Sequence, residues 1–459
     1  MLTLMSAAVL AFTVRGGVSF TYMMGHFPAP FGNEIRAGAL EAFMALLFCS
    51  VSLLSVAGGL RDAFDDVPGE ALNRYFLMQN VLIGAMLAIV YTNDIFTAFV
   101  FIDIITIAAC SIVSAKPGGK TLAAAMTYLI MSLVGSSLVL LSIAMLYGVT
   151  GHLLMPNLRE SVFVLAATGK YTIPLFVLAG LMTAGLAIKS ALFPFHGWLP
   201  DAHASATTSA SAVLSGLIIK CYLVLLIKLG YRVFGLGIME MLRVPHLLLA
   251  FGVGGIAYGA WKAMSQRDVK LMLGYSSISH IGYIAAAAGL NTEAGMAAAC
   301  FHIAAHAIGK AMLFTAAGGL AAVSGRRKDY DSLRGAARKD PLSGIAFAAG
   351  GLSMIGIPLF PGFASKLYIA SAALETPFAV WVVPAVVIVG TVLGAMYYIP
   401  AIACVFAKPD EPAAKNAPLP SPSLPYRAAL IAFMSLTLFL GLFSQQVLRV
   451  IEQGLAVLG

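Results

Sequence analysis

Apolar stretches of about 20 residues or more recur along nearly the whole chain, and a helix of about 20 apolar residues crosses a hydrocarbon core. A bilayer requires every backbone polar group to be paired internally, so stretches of this kind can span only as helices. Of 459 residues, 60% are hydrophobic and 10% charged, against about 25% charged in soluble domains. No soluble core absorbs that much apolar surface. The expected class is an all-α polytopic membrane protein.

About thirteen transmembrane helices are predicted, near residues 2–14, 37–60, 72–92, 95–115, 121–147, 171–200, 207–233, 245–264, 270–290, 294–323, 341–372, 378–406 and 426–450. Residues 2–14 are short for a crossing before Arg15-Gly16-Gly17. They read as a clipped helix in preference to the apolar core of a signal peptide. Fifteen Lys and Arg residues follow even-numbered helices, among them Arg61, Lys116, Lys120, Arg326 to Lys328, Lys408 and Lys415, whereas six (Arg15, Arg36, Arg159, Lys170, Arg232 and Arg243) follow odd ones. The positive-inside rule then makes the even loops cytoplasmic, with the N-terminus inside and the C-terminus outside the cell membrane. The net charge of +8 thus orients the chain and gives no sign of a nucleic-acid partner. Lys408 to Pro425 is the one Pro-rich connector and reads as an extended loop before the last helix. The five cysteines, Cys49, Cys110, Cys221, Cys300 and Cys404, stand singly with no CxxC pair. They read as packing residues, so no cofactor or metal is expected in this chain and redox groups are expected on partners.

A charge at bilayer depth costs at least a few kcal/mol and is a functional hypothesis by default. Asp103 lies inside NDIFTAFVFIDIITIAA, Lys189 inside LAIKSALFPFHGWLPDAHA, Lys220 inside LSGLIIKCYLVLLIK and Lys366 inside GIPLFPGFASKLY. In CFHIAAHAIGKAM, His302, His306 and Lys310 recur at i, i+4 and i+8 and share one helix stripe. Imidazole titrates near neutral pH, so such a row can exchange protons. A metal site lacks a third ligand or an HExxH glutamate, and histidines satisfied by hydrogen bonds between helices are the plainer alternative. His196, Asp201 and His280 are candidate supporting residues. Lys228, near a helix end, reads as a lysine that snorkels to the interface.

Two lysines flank proline breaks: Lys189 precedes Pro194 by five residues, and Lys366 follows Pro361 by five. Proline removes a donor and breaks a helix. Broken helices at membrane depth need protein or a water-filled cavity around them, which is where transporters place ion sites. The similar LFPF and LFPGF breaks, with lysines on opposite flanks, hint at an internal repeat of inverted topology.

The motifs IKSALFPFHGWLPDAHA, YSSISHIGY, FHIAAHAIGKAMLF and GIPLFPGFASK resemble the antiporter-like membrane subunits shared by respiratory complex I, Mrp-type sodium/proton antiporters and membrane-bound hydrogenases. The resemblance runs from about Gly25 to the last helix, and GHFPAPFG and NDIFTAFVF look closest to the Mrp D subunit and its hydrogenase relatives. It implies two inverted five-helix repeats, each with a broken helix, joined by a hydrophilic axis. On that pattern residues 1–71 are N-terminal helices, 72–233 the first repeat, 245–406 the second, and 407–459 the Pro-rich loop and last helix. Carried over by position, Lys189 and Lys366 match the broken-helix residues, Lys220 the lysine of the following helix, and His302, His306 and Lys310 the connection. The family usually has a glutamate where this chain has Asp103, which is one methylene shorter, and usually fourteen helices where thirteen are counted.

The implied mechanism starts at Lys189, held protonated by Asp103 as a switch, and passes a proton through Lys220 and the histidine stripe to Lys366. The chain carries no catalytic centre of its own, so the driving reaction belongs to other membrane subunits and peripheral redox subunits. The expected function is a proton-translocating subunit of a redox-driven complex of hydrogenase or quinone-reductase type. A subunit of a Mrp-type Na⁺/H⁺ antiporter is the alternative, and a structural anchor fits poorly with so many buried charges. Lysines outnumber carboxylates at depth, which favours H⁺ over Na⁺ in this chain.

Overall fold

The computed structural model describes residues 1–27, 32–169, 171–408 and 423–458. Among them, ten helices are long and apolar enough to cross a membrane. The expected connector from Lys408 to Pro425, with Lys415, falls largely outside the described residues, as does Lys170.

Helix α1 (Leu2–Gly16) packs on α2 (Ala39–Asp66), and between them β1 (Phe20–Met23) pairs antiparallel with β2 (Glu34–Ala37). This hairpin is a departure from an all-α chain. Gly17 turns left-handed at φ 60° and stops α1, and the aromatic and β-branched run Phe20-Thr21-Tyr22 suits a strand. Next come α3 (Gly69–Tyr91), α4 (Ile95–Val113) and α5 (Gly119–Thr150). Asp94 caps α4 by accepting the Thr97 N–H at 2.7 Å. The following segment, read from sequence as loop, contains α6 (Met155–Thr168), which buries Met155, Leu158 and Val162 and leaves its polar side outward. Its alternation of polar and apolar residues hides it from a search for spans.

Helix α7 (Thr172–Lys189) ends at its lysine, and the chain turns through residues 190–198 before α8 (Leu199–Ser205). Then α9 (Thr208–Val213), a π-helical stretch Leu214–Ile218, α10 (Ile219–Leu229), a second π-helical stretch Gly230–Phe234 and α11 (Gly235–Met241) run end to end. Helices α12 (Val244–Met264) and α13 (Val269–Ala288) pack closely, because a Cβ on Gly282 would stand 2.6 Å from the Gly252 carbonyl oxygen. After α14 (Glu293–Ala322), two short helices, α15 (Tyr330–Leu333) and α16 (Ala336–Lys339), occupy the basic segment.

The predicted span 341–372 is two helices, α17 (Pro341–Ile355) and α18 (Pro361–Leu374). Gly356, at φ 94°, ends the first, and Pro361 opens the second, where its missing N–H costs nothing. Helix α19 (Val382–Phe406) follows. The predicted single helix 426–450 is also two, α20 (Leu424–Leu442) and α21 (Ser444–Leu458). α21 is amphipathic: Ile451, Leu455 and Leu458 are buried, while Gln445, Gln446, Arg449 and Glu452 are exposed. Phe443, at φ −104° and ψ 29°, ends α20 ahead of it.

The rod from α9 to α11 and helix α14 are wholly buried over their apolar windows, whereas α19 and α20 are buried over about a third. Ile130, Phe176, Ile388 and Val392 point outward, an apolar surface suited to hydrocarbon. The two central helices carry Lys220, His302, His306 and Lys310, so the charges sit where lipid cannot reach.

Candidate functional site

At the first break, α5 and α7 approach through glycines. A Cβ on Gly185 would stand 2.7 Å from the Gly135 carbonyl, and one on Gly135 would stand 3.1 Å from Lys189 Cγ. Lys189 is 1% exposed. Its Nζ donates to Thr106 Oγ1 at 2.5 Å and stands 5.7 Å from the Tyr222 ring centroid. Asp103 lies three residues before Thr106 on α4 and accepts from the Ser136 hydroxyl. Among the described residues, Asp103 and Lys189 form no ion pair within 4.0 Å. Each meets a hydroxyl instead, Lys189 that of Thr106 and Asp103 that of Ser136.

In the centre, Lys220 donates to the Ser215 carbonyl in the π-helical stretch, and the Ser215 hydroxyl meets that of Ser277 at 2.8 Å. The widened turn supplies that carbonyl, as π-helical turns do at many functional sites. Lys310 donates to the Leu273 carbonyl at 2.9 Å, Ser276 Oγ at 2.5 Å and Tyr398 Oη at 3.2 Å. His306 is buried with neither ring nitrogen hydrogen-bonded. Its ring stacks on His280, centroids 4.9 Å apart, and Lys220, His280, Lys310 and His302 surround it electrostatically.

The histidine row continues sideways. His302 and His306 share α14 with ring centroids 6.1 Å apart, while His302 Nε2 meets His280 Nδ1 on α13 at 3.1 Å. His302 Nδ1 meets Ser365 Oγ at 2.9 Å, the residue beside Lys366. Lys366 donates to the carbonyls of Met354 at 3.1 Å and Ile355 at 2.7 Å and to Thr391 Oγ1 at 3.1 Å. Those carbonyls are among the last of α17, which a helix leaves without intrahelical partners. The break and the lysine satisfy each other.

The structure brings together Lys220, Lys310, His280, His302, His306 and Lys366, and gives Asp103 and Lys189 each a hydroxyl partner of its own. It does not bring in His196, whose ring stacks on Phe193 at 5.5 Å and lies beside Tyr258. Asp201 is exposed and lines a cavity of about 590 Å³ at the basic-loop end with Lys116, Lys120, Asp268 and Lys328. There, burial lowers the Lys328 ammonium from its ordinary value, and the Ser332 hydroxyl and N–H hold the Asp329 carboxyl below its own. Lys228 is corrected: it is 2% exposed and donates to the Val90 and Thr92 carbonyls, each at 2.7 Å, so it does not snorkel. Sequence reasoning missed Thr106, Ser136, Ser276, Tyr398 and Thr391, because hydroxyls in apolar helices carry no charge signal. It also passed over His203 in PDAHA, which is fully buried against Phe314 with both nitrogens unpaired.

Comparison with known proteins matches residues 92–394 to the NADH:quinone oxidoreductase/Mrp antiporter transmembrane family. The chain is 32% identical over 462 residues to NADH-quinone oxidoreductase subunit N of Desulforudis audaxviator (strain MP104C), covering 97% of this chain and 89% of that protein. A chain of the membrane-bound sulfane sulfur reductase, an archaeal respiratory membrane complex, superposes with a TM-score of 0.88 at 26% identity, covering 100% of this chain and 90% of the other. A chain of the Mrp complex from Dietzia sp. DQ12-45-1b shares the fold, with a TM-score of 0.85 at 21% identity over 100% of this chain and 90% of that one. The chain belongs to the antiporter-like membrane subunits of complex I-type and Mrp-type complexes, the NADH:quinone oxidoreductase/Mrp antiporter family.

Proposed function

We propose that this chain translocates protons along its buried lysine and histidine axis as a subunit of a redox-driven multisubunit membrane complex. The observation that carries the reading is the row of buried proton-exchangeable groups on the two central helices, with hydrogen bonds that run from His280 through His302 to Ser365, the residue beside the lysine of the second break. Lys189 loads under the influence of Asp103 and passes its proton by Lys220, His306 and Lys310 to the His280–His302 pair, and Lys366 releases it. The unpaired nitrogens of His306 support this order, since a buried donor or acceptor without a partner costs about 1–3 kcal/mol and a passing proton or a relay water would use it. Thirteen crossings in two inverted repeats, with the basic loops cytoplasmic, fit the positions of both broken helices. The redox reading is favoured over a free-standing antiporter because the relative matched over 97% of this chain is named for quinone reduction and the superposed sulfane sulfur reductase is respiratory.

In membrane vesicles holding the assembled complex, Lys189→Ala and Lys366→Ala are expected to abolish proton uptake without loss of assembly. Uptake at the normal rate in either variant would refute the axis.

A further inference from the structure

Six lysines are buried among the described residues: Lys189, Lys220, Lys228, Lys270, Lys310 and Lys366. Only Lys228 has a carboxylate within 4.0 Å, its Nζ standing 3.8 Å from Glu41 Oε1. Glu41 is 2% exposed and one of two buried carboxylates among the described residues, the other being Asp340. The closest lysine–carboxylate pair in the buried interior is therefore here and not at Lys189.

Glu41 stands between two cations. Its Oε1 lies 2.6 Å from Arg36 Nη1 and 3.8 Å from Lys228, a difference of 1.2 Å, while Oε2 accepts the Gly38 N–H at 3.1 Å. A small swing of the carboxylate exchanges one partner for the other. The other arm of Arg36 donates to the Val457 carbonyl at 2.5 Å, and Arg232 donates to the Leu458 carbonyl at 3.2 Å, so the last turn of α21 holds both guanidiniums. Arg232 also donates to Asn93 Oδ1 at 2.6 Å, and Asn93 to Glu34 Oε1 at 2.5 Å. Glu34 is half-buried, which brings this network to the end of the bundle opposite the basic loops. Lys228 stands on α10 eight residues beyond Lys220, about 12 Å of helix rise, and a π-helical stretch adjoins each lysine.

We propose that Lys228 is a further proton-exchange site, serving the end of the axis away from the basic loops, and that Glu41 is the positioning residue that switches it. With Glu41 on Lys228 the ammonium keeps its proton. With Glu41 drawn fully to Arg36, the ammonium gives that proton to water at the Glu34 edge and is left as the neutral amine. It is reloaded by a proton that leaves the Lys220 ammonium and crosses by bridging water. A displacement of α21, which holds Arg36, sets the switch.

This inference rests on the axis proposed above, and three variants in vesicles of the assembled complex separate the two. Lys228→Arg keeps the charge and the contact with Glu41 but does not release a proton. It is expected to assemble normally and slow proton uptake at least tenfold, and uptake at the wild-type rate would overturn the proposal. Should Lys228→Arg fail to assemble, Glu41→Gln decides: slowing of at least tenfold supports the switch, and wild-type uptake refutes it. Failure of both to assemble assigns the pair to folding alone and also refutes it. Lys220→Met is expected to be inactive. Normal uptake in Lys220→Met sinks the axis itself, whereas normal uptake in Lys228→Arg beside an inactive Lys220→Met sinks only this site.

Discussion

Gly362, in the first turn of α18, is the position at which one methyl group should disable the second broken helix. A Cβ there would stand 1.7 Å from the Ser353 carbonyl oxygen and 2.8 Å from its carbon. Both atoms belong to backbone, so no side chain can swing away. To reach even 3.0 Å, α18 must retreat by about 1.3 Å, and overpacking of this kind costs roughly 1–3 kcal/mol. The same retreat carries Ser365 and Lys366 with it. The 2.9 Å contact of Ser365 with His302 and the 2.7 Å bond of Lys366 to Ile355 would stretch toward about 4 Å, beyond hydrogen-bonding range. A bond to a charged group is worth about 1.5–3 kcal/mol, so Gly362→Ala should slow proton uptake at least tenfold while lowering the melting temperature of the complex only modestly. Gly84→Ala is the control, because its Cβ would meet nothing within 4 Å. Uptake in Gly362→Ala equal to that in Gly84→Ala would show that the break does not position Lys366.

Three other outcomes follow from the same geometry. Tyr398→Phe takes one of three acceptors from Lys310, a loss of about 1.5 kcal/mol for a charged group, and should slow uptake about tenfold; an unchanged rate would mean Lys310 is not a charged relay. Ser136→Ala removes the hydroxyl that donates to Asp103, about 1.5 kcal/mol for a charged acceptor or roughly tenfold, and initial uptake rates should fall by that factor if Asp103 is the switch. Arg326→Ala deletes exposed pairs to Asp65 and Asp66, both at 2.6 Å. It should change stability by about 1 kcal/mol or less, with the difference shrinking as salt rises in thermal melts.

The helices and their lysines were legible because a long apolar run and a charge inside it are both properties of side chains. Lys189 and Lys366 stand at their breaks as the prolines implied, one closing α7 and the other on α18. What the sequence left hidden depends on neighbours from distant parts of the chain. The i, i+4 spacing of His302 and His306 suggested a relay along one helix, yet the hydrogen bond of His302 runs to His280 on α13. Lys228 looked like an interfacial lysine because it nears a helix end, but that end is packed under α3, β2 and the last turn of α21. Helix α6 escapes a search for spans because it has a polar side, whereas the start of α21 is merged into the predicted span 426–450.

The acceptors explain why breaks and lysines occur together. Of the six buried lysines, Lys220, Lys228, Lys270, Lys310 and Lys366 each donate to at least one backbone carbonyl. An ion pair at about 4 Å would hold an ammonium by about 4 kcal/mol at an effective dielectric of about 20, strong enough to make release slow. Carbonyl dipoles stabilise the ammonium without a full opposing charge, so the proton is retained but can leave. Helix ends and π-helical turns are the places that offer such carbonyls; Lys366 and Lys220 use them without an ion pair among the described residues, whereas Lys228 has two of them and Glu41 as well. The first break differs: the Trp198 indole N–H takes the Ile188 carbonyl at 3.2 Å, which leaves Lys189 with the Thr106 hydroxyl as its hydrogen-bond acceptor. Lys189 is thus held by one acceptor and Lys366 by three. Release from Lys366 then requires that the second break itself open, which makes the spacing between α17 and α18 the natural point at which the rest of the complex can drive transport.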